Sequence, residues 1–119
     1  MQNQIVRVNG LAAVRLAGAC VLFMAVAAYA GAEDSKAAAS TFSQRCAECH
    51  AADGSGATTM GKSANIPDLR SPQVQNQADA DVKDVIAHGK GVMPAFGTSL
   101  SNDEIDGLVL YVRGLAKKH

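Results

Sequence analysis

Near the end of the chain, Ile105, Leu108, Val109, Val112 and Leu115 recur at three- and four-residue steps, which makes one face of a helix apolar. Ser101 and Glu104 in front of them form an S-x-x-E capping box, and Leu100 and Ile105 take the two positions of a hydrophobic staple. Lys117 and Lys118 follow at the end where cations suit the helix dipole. Stripe, start and end together predict a helix beginning just after Ser101.

Two further helices follow from the same periodicity. Over "DADVKDVIAHG", residues 79–89, Val82, Val85 and Ile86 share a face, acidic residues come early, and Gly89 stands where a left-handed C-terminal cap would sit. Over "AAASTFSQRCAECH", residues 37–50, the inner positions are Ala38, Phe42 and Cys46, with "EDSK" of 33–36 preceding the helix. Residues 51–69 and 90–100 hold no sustained period and are punctuated by glycine and proline, which predicts loops; long loops inside a small domain usually carry function. A period of two persists nowhere, so the chain predicts an all-α domain without a sheet.

Residues 1–32 obey a different pattern. Arg7 and Arg15 precede the apolar run "LAGACVLFMAVAAYAGA", which ends in small residues suited to signal-peptidase cleavage after Ala30 or Ala32. The uninterrupted run from Leu16 to Ala30 is 15 residues, shorter than the roughly 18–20 that a spanning helix needs. The expectation is a cleaved export signal over 1–32 and a domain over 33–119, an uncleaved membrane anchor being the alternative. Cys20 would leave with the signal.

Composition then narrows the function. Once Arg7 and Arg15 are gone, the 11 acidic residues outnumber the remaining Lys and Arg by two, which gives no basic surface for nucleic acid or for an anionic membrane. A domain of this size without tryptophan buries a modest core, so a bound group is expected to fill its centre.

Cys46, Cys49 and His50 are the chemistry-bearing cluster. In an exported chain two cysteines can simply form a disulfide. A zinc site would need a fourth ligand, and only His88 and His119 remain as nitrogen donors, without paired spacing. A thioredoxin-like pair follows a strand, and no strand is predicted. Haem attachment uses all three residues: two thiols join the porphyrin vinyl groups and the adjacent histidine ligates the iron. An electron carrier then needs a second axial ligand, and a methionine thioether raises the potential. Met93, in "GKGVMPAFG" between a helix cap and a proline, is the expected ligand; Met60 in the glycine-rich loop is the other methionine candidate, and the rival ligand His88 falls off the apolar face of its helix.

The strings "CAECH", "IPDL", "GVMPAFG" and "LVLYVRGLAK", in this order, resemble the class I c-type cytochromes over essentially all of 33–119. The resemblance implies a compact all-α fold in which the first and last helices cross and short helices and loops surround one covalently bound haem c. It makes Cys46 and Cys49 the thioether attachments and His50 and Met93 the axial iron ligands. It also has the Pro67 carbonyl accept a hydrogen bond from the outer nitrogen of His50, and it places Leu69 and Phe96 in the haem pocket. Ala38 would face Tyr111 where the terminal helices cross.

The implied function is single-electron transfer between larger redox proteins in the periplasm, by a monomer that forms transient complexes and is not an enzyme. The alternatives are a sensing, ligand-binding or catalytic haem protein with an open iron, and a cytochrome subunit docked in a larger oxidoreductase complex. No histidine–arginine pair stands near Met93, which argues against peroxidase chemistry. Neither nucleic acid nor stable membrane insertion after signal cleavage is expected.

Overall fold

Residues 33–118 are described by the structure, a computed structural model of the chain. The expected export signal over 1–32 lies outside the described residues, as does His119. Helix α1 covers 33–45, followed by α2 (Ala47–His50), α3 (Thr59–Ser63), α4 (Pro72–Gln75), α5 (Asp79–His88) and α6 (Asn102–Leu115), which runs into a 3-10 turn (Ala116–Lys118). Among the described residues, extended pairing is limited to one isolated bridge between Lys90 and Met93. The all-α expectation holds.

Helix α6 is built as its sequence dictates. The Ser101 hydroxyl accepts from the Glu104 backbone N–H at 3.3 Å, and the Glu104 carboxylate accepts from the Ser101 backbone N–H at 2.8 Å. These two bonds satisfy N–H groups that a helix start would otherwise leave unpaired. All five stripe residues are buried, and Leu100 is buried beside Ile105 as the staple requires. Leu100, Ile105, Leu108, Val109 and Leu115 join Phe42 of α1 and Val82 and Ile86 of α5 in one apolar core.

Helices α1 and α6 meet through small and aromatic side chains one turn apart. A Cβ on Gly107 would stand 3.5 Å from that of Ala38, while the rings of Phe42 and Tyr111 are 4.9 Å apart between centroids. Positions 38 and 42 share a helix face, as do 107 and 111, so the contacts fall in register. The Tyr111 ring packs at a tilt on Phe42, and Gly107 is the small residue opposite Ala38.

Three local expectations are corrected. Residues 33–36 belong to α1 instead of preceding it, and the helix is broken at Cys46 by a turn before α2. Within the expected loop 51–69, Thr58 caps α3 by accepting from the Gly61 N–H at 2.8 Å. Over 70–78, for which periodicity predicts no element, Pro72 opens α4, where its missing N–H costs nothing, and Val74 of that turn is buried.

Candidate haem site

The Cys46–His50 motif sits where α1 gives way to α2. The backbone N–H of His50 donates to the Cys46 carbonyl at 2.9 Å, so the motif is one helical turn following the inward face of Phe42. Ala51 then takes φ +63, a left-handed value uncommon without glycine, and ends the turn. The chain folds straight back: the Gly56 N–H donates to the His50 carbonyl at 2.8 Å and the Thr58 hydroxyl to the Cys49 carbonyl at 3.1 Å. Gly61 permits this return, because a Cβ there would collide with the carbonyl oxygens of Gly56 and Cys49.

The segment carrying Pro67 and Leu69 is tied to the same loop. The Leu69 N–H donates to the Gly54 carbonyl at 2.8 Å. Arg70 bonds both carboxylate oxygens of Asp68 at 2.8 Å and reaches Asp53 at 3.1 Å. From α6, Arg113 donates to the carbonyls of Val74, Gln75 and Gln77, and Gln75 in turn donates to those of Leu69 and Val112. Side chains thus satisfy the backbone of α4 and its flanks where no long helix can.

Met93 is held by a tight turn at the end of α5. Lys90 and Met93 exchange backbone hydrogen bonds, N–H to carbonyl, at 3.2 and 3.0 Å. Gly89 has φ +77 with an extended ψ of 168, so it reverses the chain with a positive φ but is not the left-handed cap expected. A Cβ at Gly89 would stand 2.5 Å from the Met93 carbonyl oxygen. Beyond Pro94, the N–H groups of Phe96 and Gly97 donate to the carbonyls of Ile86 and Ala87 at 3.0 and 2.9 Å. The loop thereby satisfies carbonyls that the last turn of α5 would otherwise leave open.

Between these arms lies a cavity of about 470 Å³. Cys46, His50, Pro67, Leu69, Met93 and Phe96 all line it. Cys49 is not among the lining residues; like Cys46 it is half-buried, and both thiols are free. Met60 is 51 % exposed on α3 and borders a separate surface depression with Glu48, Thr58 and Ser63. His88 points to solvent and pairs with Asp84 at 2.8 Å. Of the basic side chains around this region, Lys83 is drawn to Asp106 of α6 at 2.7 Å, whereas Arg45 and Lys90 line the cavity.

The cavity fits a haem in volume and chemistry. Its size lies within the roughly 300–1,000 Å³ of small-molecule and cofactor sites, and its walls from α5 and α6 are aliphatic. Burial holds His50 below the ordinary imidazole value, which keeps the ring neutral as a metal ligand must be. Burial pushes the Cys46 thiol up, opposed by neighbouring Arg45 and aided by Cys49. The Nδ1 of His50 is buried and has no hydrogen-bond partner among the described residues, so the bond expected with the Pro67 carbonyl is not made. An orphaned polar atom in so apolar a wall is uncommon outside functional sites.

Periodicity alone could not reveal the cap at Thr58 or the role of Gly61, since α3 is a single amphipathic-free turn; the threonine before "TMGK" was the available signal.

Comparison with known proteins points one way. The family model described as cytochrome c oxidase, cbb3-type, subunit III matches residues 33–112. The chain is 38 % identical over 88 residues to cytochrome c6 of Leptolyngbya boryana, covering 71 % of this chain and 96 % of that one. It is 33 % identical over 79 residues to cytochrome c6 of Bryopsis maxima, covering 66 % and 89 % respectively. The solved structure of the KustC0563 c-type cytochrome superposes with a TM-score of 0.60 at 26 % identity, covering 65 % of this chain and 94 % of that one.

Proposed function

Given that this chain belongs to the class I c-type cytochromes, electron carriers built on covalently bound haem c, we propose that it moves single electrons between larger redox proteins of the periplasm, with His50 and Met93 as the two axial ligands. The observation that carries the ligand reading is the lining of one cavity by His50 and Met93, while Met60 lies outside it. When bound, haem c supplies a one-electron ferric/ferrous couple.

The residues of the chain do the rest. Cys46 and Cys49 would hold the group by thioethers, and a neutral His50 would offer its ring nitrogen to the iron. Met93 would offer a thioether to the iron, which would favour the ferrous state and keep small ligands out. Val82, Ile86, Leu108 and Val112 exclude water from the cavity wall, and that limits reorganisation when charge changes. Among the described residues, no helix is long and apolar enough to cross a membrane. Weak redox encounters need little contact area.

The test is the absorption spectrum of the ferric protein, matured with haem, searched for the weak sulfur-to-iron charge-transfer band. The band is expected in the parent and absent in Met93→Ala, with Met60→Ala unchanged. Haem attached without the band would move an open or bis-histidine iron ahead.

The matching family description names an oxidase subunit, and this favours one second reading, a cytochrome docked in a larger oxidoreductase complex. Stable co-purification with such a complex from the native membrane would select it over a free shuttle.

A further inference from the structure

The cavity is charged with one sign. Among the described residues that line it, the charged side chains are Arg45 and Lys90, both cations. Neighbouring carboxylates are engaged elsewhere: Asp53 and Asp68 with Arg70, Asp79 with Arg113, Asp106 with Lys83, Asp84 with His88, and Glu104 in the cap of α6. A haem carries two propionates on the porphyrin edge opposite its two vinyl positions, so its carboxylates belong away from the thioether cysteines.

That requirement separates the two cations. Arg45 directly precedes Cys46, and its guanidinium donates to the Ser99 hydroxyl at 3.2 Å. It therefore belongs to the thioether side. Lys90 stands on the other arm, is exposed, and has no ion pair among the described residues. Its backbone is fixed by the two bonds with Met93 and by the reversal at Gly89, so its ammonium swings from a rigid base at the cavity rim. A carboxylate at an apolar wall needs such a partner to remain ionised.

We infer that Lys90 is the cation that holds a haem propionate. The assignment rests on the haem-carrying reading above but not on Met93 as the ligand. Lys90 then acts as a positioning residue, tying the loop that presents Met93 to the periphery of the same group.

The test uses the full chain matured with haem, as parent, Lys90→Gln, Lys90→Arg and Lys62→Gln, the last removing one positive charge from α3 outside the cavity. Two readouts are followed: the propionate-bending band in the resonance Raman spectrum, and the pH at which the reduction potential breaks as a propionate protonates. Lys90→Gln is expected to shift the band and to move the break up by about one pH unit, because a lost cation makes the acid easier to protonate. Lys90→Arg should restore both, and Lys62→Gln should leave both in place. An unmoved band and break in Lys90→Gln, or an equal shift in Lys62→Gln, would overturn the inference. The sulfur-to-iron band recorded on the same samples keeps the outcomes apart: its absence from the parent defeats the Met93 reading alone, whereas its presence with an unmoved propionate defeats this one alone.

Discussion

The ring of Tyr111 lies against that of Phe42 with centroids 4.9 Å apart and planes inclined by 40°. This contact joins the helix that leads into Cys46 to the helix that closes the core, so the attachment motif is anchored by the terminal crossing. Phe42→Ala should cost about 3–5 kcal/mol, since it removes a buried ring and leaves a cavity. Tyr111→Leu keeps apolar volume and should lose about 0.5–1.5 kcal/mol from the ring pair. Denaturant unfolding of the two variants and of the double variant measures both; additive losses would show that the rings do not act as an aromatic pair.

The α6 cap predicts an acid-dependent stability. Hydrogen bonds from the Ser101 backbone and hydroxyl hold the Glu104 carboxyl below its ordinary value. A group depressed in the folded state stabilises it above the ordinary glutamate range, and that contribution fades as pH falls through the folded value. Unfolding free energy measured from neutral to acid pH should therefore decline less steeply in Glu104→Gln than in the parent. Ser101→Ala should cost about 1 kcal/mol at neutral pH.

Two glycines should respond in opposite directions. Gly61→Ala would drive a Cβ into the carbonyls of Gly56 and Cys49 and should destabilise by about 1–3 kcal/mol. Gly114 lies within α6, and outside its own helix backbone and chain neighbours nothing comes within 4 Å of the Cβ an alanine would add, so Gly114→Ala should stabilise by about 0.5–1 kcal/mol. Thermal unfolding reads both, and a destabilised Gly114→Ala would contradict the open space beside it.

The thiols can be tested by covalent retention. Haem should stay with the parent polypeptide after acid–organic extraction and leave the Cys46→Ala/Cys49→Ala double variant. Retention by the double variant would place the attachment elsewhere.

The long elements were legible in the sequence because their burial is one-sided. The α6 stripe from Ile105 to Leu115 faces the core, and its cap is spelled by Ser101 and Glu104, so periodicity and local hydrogen bonding agree. The cavity-facing set Cys46, His50, Pro67, Leu69, Met93 and Phe96 was legible from spacing, context and family resemblance together. Helices α3 and α4 were not, because a turn of four or five residues shows no period; they exist through Thr58, Pro72 and the reach of Gln75 and Arg113 from or to α6. The unpaired Nδ1 of His50 was equally hidden, since only the placed Pro67 segment decides whether a carbonyl meets it.

The turn that carries residue 93 is held by main-chain bonds, between Lys90 and Met93 and from Phe96 and Gly97 back to α5. Main-chain bonds are indifferent to the side chain they deliver. The address is thus fixed by Gly89, Pro94 and the paired last turn of α5, while the atom presented there is set by one codon. On the ligand reading proposed above, a lineage built on this scaffold could exchange a sulfur for a nitrogen at that point, and so retune its chemistry, without rebuilding the loop.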